Sequence, residues 1–159
     1  MSPRRDPGRW RSGVTDLPLK IAVTALVLAV MIPTVWSSVD TMCRDHVRGD
    51  TAALAARIRR CGLAVMDGAP GTSMVLEFEL PSSGRARLDR VVLGDELRGG
   101  NVDIMRFYYS FETRERSAYM DVPMSHPDGH RGVGLNSTGR IRMTHARIDG
   151  VSFVAIQPA

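Results

Sequence analysis

Twenty consecutive residues, Leu17 to Trp36, read LPLKIAVTALVLAVMIPTVW and carry one charge, Lys20. As a helix rising about 1.5 Å per residue, the run is roughly 30 Å long, enough to cross the hydrocarbon core of a bilayer. Its strictly uncharged part, Ile21 to Val35, covers only fifteen residues, so the flanks matter. Lys20 can carry its ammonium to the headgroups on an apolar stem, and Trp36 suits the opposite interface. Pro18 falls in the first turn, where a missing N–H costs little; Pro33 is expected to bend or loosen the last one. Arg4, Arg5, Arg9 and Arg11 precede the run, and a balanced Arg/Asp mixture follows it. That asymmetry predicts a single pass through the cell membrane, in contact with lipid, with the N-terminus cytoplasmic and the C-terminal domain extracellular. A buried core helix and a secretory signal cleaved near Val35 to Ser37 are the rival readings of the same residues.

Charge is distributed as this reading requires. The formal net charge is +4, of which residues 1–20 hold +3 and residues 21–159 only +1. The excess is therefore a terminal tag. A basic stripe on a folded face, the footprint of a protein that binds phosphate backbones, is not visible, which argues against nucleic acid as a partner. With 159 residues, 43% hydrophobic and 24% charged, the chain can fold one domain with a real core but not two.

The helical period does not stop at Trp36. Trp36, Val39, Cys43, Val47, Leu54, Ile58, Cys61 and Val65 recur three, four or seven residues apart, with Asp50 interrupting the stripe. Charged residues mostly take the other faces, the pattern of an amphipathic helix. Gly68-Ala-Pro-Gly71 ends it, and Gly62 weakens its last turn. One helix of about fifty residues is the simplest account, apolar in its first half and amphipathic in its second; two helices kinked between Pro33 and Ser38 are the alternative. A cleaved signal would have no reason to continue in phase into a packed helix. Cys43 and Cys61 share the stripe 18 residues apart. On a continuous helix that is roughly 27 Å, against a limit of about 7 Å for a disulfide, so no bridge forms within one chain. Small buried thiols or an intermolecular bridge remain.

After Gly71 the period switches to two. Met74, Leu76, Phe78 and Leu80 alternate with Glu77 and Glu79, a half-buried strand, and Pro81 to Gly84 reads as a turn. Ala86 to Leu93 is a second strand with Leu88 and Val92 on one face. Asn101 to Phe111 is a third, with Met105, Phe107, Tyr109 and Phe111 inward. Ser117 to Met124 is a fourth. Ser125 to Gly134 is a loop rich in His, Pro and Gly, and Gly132 to Leu135 a short extended piece. Arg140 to Ile148 and Val151 to Gln157 flank Asp149-Gly150, a favoured two-residue hairpin loop because both positions accept positive φ. The fold class is α+β: a long N-terminal helix, membrane half then amphipathic half, followed by an antiparallel β-sheet or small β-sandwich of five to seven strands. In domain terms this is a basic leader (1–16), a transmembrane helix (17–36), an amphipathic helix (37–67) and a β-rich extracellular domain (72–159).

Signatures of catalysis are missing. No phosphate loop, HExxH, GxSxG or EF-hand pattern occurs in the sequence, and no cofactor is implied. His126, Asp128 and His130 are the one local cluster of ligand-type residues, weak metal candidates on a Pro/Gly loop that reads better as a solvated turn. His145 and His46 stand alone. Asn136-Ser-Thr138 is an N-x-[ST] glycosylation acceptor in an expected surface loop.

In its order of parts, basic leader, membrane helix, amphipathic continuation and β-rich head, the chain resembles the archaeal type IV pilin-like proteins. The run GAPGTSMVLEFELP also looks like their junction between helix and head. The resemblance implies a class III signal peptide cut after Gly13 in Arg11-Ser-Gly13-Val14, leaving Val14 at the new terminus. It further implies a non-enzymatic surface protein whose helix packs with identical or related pilin-like subunits. Ala22, Ala25 and Ala29, three and four residues apart, would form the close-approach face, since helices in lipid associate through small residues. A solitary membrane-anchored domain that binds a ligand or partner, and a secreted enzyme, are the other two readings.

Overall fold

The computed structural model describes the backbone of residues 12–159 and side chains from residue 17 onward. Most of the leader assigned to 1–16 thus lies outside the described residues. The fold is α+β, one long helix followed by antiparallel-rich sheets. The helix, α1, spans Ser12–Met66 without interruption, with Pro18 and Pro33 inside it. Chain contacts divide the molecule into two units, Met1–Thr41 and Met42–Ala159.

In the first unit every described residue from Leu17 to Val39 is exposed, with Leu19 at 64%, Leu26 at 67% and Trp36 at 69%. Four of its hydroxyl groups turn inward on the helix itself. Thr24 donates to the Lys20 carbonyl at 2.9 Å, Thr34 to Val30 at 2.8 Å, Ser38 to Thr34 at 3.0 Å and Thr41 to Ser37 at 2.9 Å. Each pairing hides a polar group against a carbonyl four residues back, so this surface presents few free donors to apolar surroundings.

In the second unit the helix contributes Val47, Leu54, Ile58 and Val65, all buried, to a single core. Cys43 and Cys61 are free thiols, half-buried on the same seam. The gap at Asp50 closes one residue later: Thr51 is buried and donates its hydroxyl to the Val47 carbonyl at 2.7 Å. Gly62 lets the helix approach closely, since a Cβ there would come within 2.6 Å of the Met124 side chain.

The strands are β1 (Ser73–Phe78), β2 (Ser82–Ser83), β3 (Ala86–Leu93), β4 (Ile104–Tyr109), β5 (Arg116–Tyr119), β6 (Met124–Ser125), β7 (Val133–Leu135), β8 (Gly139–Ile148) and β9 (Val151–Pro158). One sheet runs β1-β8-β9-β6; the other runs β2-β3-β4-β5, with β7 also paired to β3. All pairs are antiparallel except β6 with β9. The final hairpin has Asp149 at φ 51° and Gly150 at φ 84°, as its turn type demands.

Three expectations are corrected. The residues 81–84 taken as a turn hold β2, and the turn falls on Gly84 and Arg85. In β3 the inward residues are Leu88, Val91 and Leu93, not Val92, because the register with β4 shifts between Leu88 and Arg90. An extra residue at such a bulge reverses the alternation beyond it. The single strand over 117–124 is two, β5 and β6, in different sheets, separated at Asp121 with φ 55°.

Candidate functional site

The membrane candidate is built by α1. It is the one helix among the described residues that is long and apolar enough to cross a membrane, and none of its apolar window is buried. Ala22, Ala25 and Ala29 are exposed on it. Gly13 and Val14 fall in its first turn, where side chains lie outside the described residues.

In the loop between β6 and β7, His126 and Asp128 meet, with Nδ1 to Oδ2 at 2.9 Å. His130 joins only through its backbone N–H, which donates to Asp128 Oδ1 at 3.0 Å. Arg131 approaches the same oxygen as His126, its Nε 3.8 Å from Asp128 Oδ2. The His130 N–H above all, with His126 and Arg131 helping, holds the Asp128 carboxyl below its ordinary pKa against the opposing cost of burial. The Ser125 hydroxyl and the His126 N–H both donate to the Arg131 carbonyl, at 3.0 and 2.8 Å. These bonds make a braced turn. No group of three or more His, Cys, Asp or Glu among the described residues is placed to hold a metal.

Asn136 is exposed between β7 and β8, and Thr138 Oγ1 of its tripeptide accepts from the Leu80 N–H at 3.2 Å. A groove of about 730 Å³ lies between the helix at Asp50 to Arg57, the end of β1 and Arg140. Two of its charged groups pair with each other, Arg140 with Glu77 at 2.7 Å.

No protein-family model, curated protein or solved structure matches the chain.

Two features of the head were not singled out from the sequence. His145 is 8% exposed, and its Nδ1 lies 2.8 Å from the Gly68 carbonyl. A carbonyl only accepts, so Nδ1 carries the proton, and the buried Nε2 meets no hydrogen-bond partner among the described residues. The His145 backbone also bonds Thr72 and Gly71, so one residue ties down the whole exit from the helix. The signal was available in the phase of β8, where His145 follows Ile141 and Met143 on the inward side. The second feature is a cluster around Phe111, over which Arg44 and Arg48 sit at 5.6 and 5.5 Å. Arg48 and Arg116 both pair with Glu112, at 2.7 Å each. Arg116, then Arg48, lower the pKa of that carboxyl below its ordinary value, with burial opposing them.

Proposed function

We propose that this chain is a pilin-like, non-enzymatic, membrane-anchored surface protein, a filament subunit or minor pilin. One observation carries the reading: a single helix is apolar and wholly exposed over Leu17 to Val35, yet from Val47 onward supplies the core of a folded head. Such a surface is stable only against lipid or other apolar helices. In the precursor, Arg4, Arg5, Arg9 and Arg11 hold the N-terminus in the cytoplasm and the head outside. Cleavage after Gly13 would remove those four charges. Lys20 and a new α-amino group would then resist extraction of the helix, with Asp16 offering a partner to a neighbouring amine. Extraction into a bundle of identical or related helices, through Ala22, Ala25 and Ala29, would cost far less than for the precursor.

Mass spectrometry of the N-terminus of the native protein tests this. A mature chain beginning at Val14 is expected. One beginning at Ser38 would make the segment a signal peptide and the head a secreted domain. An intact Met1 or Ser2 would make the protein a solitary anchor.

A further inference from the structure

Among the described residues β1 is an edge strand, paired to β8 on one side only. The His145 N–H donates to the Thr72 carbonyl, and this bond sets the phase of the ladder that follows. Antiparallel pairs alternate, so Met74, Leu76 and Phe78 turn their backbone groups to β8 while Ser73, Val75 and Glu77 turn theirs away. The Glu77 carbonyl obeys this rule and accepts from Arg57 at 3.1 Å. That guanidinium closes one end of the edge. The rest of the strand carries none of the usual protections: no Pro, no Lys and no bulge interrupts Ser73–Phe78. Met74 is 40% and Val75 51% exposed.

Beside this edge, on the core-facing side of β1, runs a groove of about 420 Å³ lined by Arg57, Arg60, Cys61, Ala64, Met74 and Leu76. Its helix wall, residues 57 to 64, is about 10 Å long, and side chains on one face of a strand recur about every 7 Å. Two successive inward side chains of an added strand therefore fit. Cys61, Ala64, Met74 and Leu76 make the floor apolar, while Arg57 and Arg60 pair with no carboxylate among the described residues.

We propose that the β1 edge and this groove receive an extended, acidic segment of another protein as an added strand. Backbone bonds to Ser73 and Val75 would hold it, an apolar side chain would fill the floor, and a carboxylate two residues away would meet Arg57 and Arg60. The basic rim sets the occupant. Residues 1–11 of this chain, with Arg4, Arg5, Arg9 and Arg11, carry the wrong sign. A second copy paired antiparallel through β1 would bring both arginine-rimmed grooves onto one face, like charge beside like.

The test uses the full chain in uncharged detergent micelles and a fluorescein-labelled heptapeptide, Thr-Glu-Thr-Leu-Thr-Glu-Thr, whose symmetry of charge suits either strand direction. Anisotropy should saturate, and a peptide with lysine in place of both glutamates should bind about tenfold or more weakly. Val75→Pro removes only an outward N–H, which edge strands tolerate, and should lower affinity for the acidic peptide about tenfold while circular dichroism is unchanged. Arg60→Glu should shift the preference toward the lysine peptide, and it carries the test should Val75→Pro fail to fold. Equal binding of the two peptides to the native chain, or an Arg60→Glu variant with the native preference, would overturn the proposal. So would a dimer, seen by sedimentation without peptide, that Val75→Pro dissolves, since the edge would then serve self-pairing.

Discussion

Asp149 and Gly150 illustrate how a single φ angle can carry a turn. Nothing lies within 4 Å of where a Cβ on Gly150 would sit, so space is no obstacle there; its φ of 84° is. Gly150→Val should cost about 1–3 kcal/mol through backbone strain alone. Thermal unfolding of the full chain in detergent should show a lowered midpoint, and an unchanged one would mean the turn tolerates a β-branched residue. His145 works differently, through satisfaction of buried polar groups. Its Nδ1–H serves the Gly68 carbonyl just beyond the end of the helix at Met66, where carbonyls lack helical donors. His145→Leu keeps the bulk but leaves that carbonyl without its donor, at a cost of about 1–3 kcal/mol. It also removes the orphaned Nε2, so a net destabilisation identifies the Gly68 bond as the dominant effect. A variant as stable as the native protein in denaturant titration would show that water takes over the carbonyl.

Between the helix and the hairpin ends of β4 and β5, Glu112 is the element-scale fastener, with Arg48 on α1 and Arg116 on β5. Its pKa is depressed in the folded state, so the stability it contributes is present above the ordinary carboxylate range and is lost as pH falls through the lowered value. Glu112→Gln should cost about 1 kcal/mol at neutral pH, discounted for the partly exposed arginines, and the difference from the native protein should shrink toward acid. A gap that stays constant from neutral pH to below pH 3 would contradict the pairing. Elements were legible in the sequence where their cause is local. Asp149-Gly150 specifies its own turn, and the limits of Ala86–Leu93 were read correctly. What failed depends on partners distant in the chain. The bulge beyond Leu88 exists only relative to β4, and it moved the inward role from Val92 to Val91. Met120, Val122 and Met124 are all buried, which is the alternation of one strand, yet the positive φ at Asp121 sends β6 to pair with β9 instead. The apolar groove was invisible for the same reason, since its walls, α1 at 57–64 and β1 at Met74 and Leu76, meet only by packing. Of the ligand cluster, proximity brought His126 to Asp128, but the loop's backbone bonds decided that His130 would join through its N–H.

At the scale of the whole molecule, the proposed single-pass reading also assigns the side of the membrane on which the head would sit. On that reading the apolar run would drive insertion in either direction, so orientation would rest on charge: four arginines and Lys20 on one side against a nearly balanced mixture on the other. Basic residues near a span are retained in the cytoplasm, which on the proposed reading would send residues 42–159 outward. The head offers a protease a defined target. The Arg98 side chain is 81% exposed in the loop between β3 and β4, and its one partner among the described residues is Asp149, a surface pair that adds little rigidity. Trypsin added to intact cells or spheroplasts should therefore release fragments cut at Arg98 while a cytoplasmic marker protein survives. Protection until the cells are lysed would reverse the orientation and remove the basis for a surface role. Cleavage at Arg98 of protein found only in the medium would instead mean that the span had been lost, because a retained helix keeps the chain with the membrane fraction. Replacing Arg4, Arg5, Arg9 and Arg11 together with Glu separates charge from every other cause. If charge sets the orientation, the fraction of Arg98 accessible from outside should fall, and with no change in that fraction the asymmetry would not be what holds the N-terminus inside.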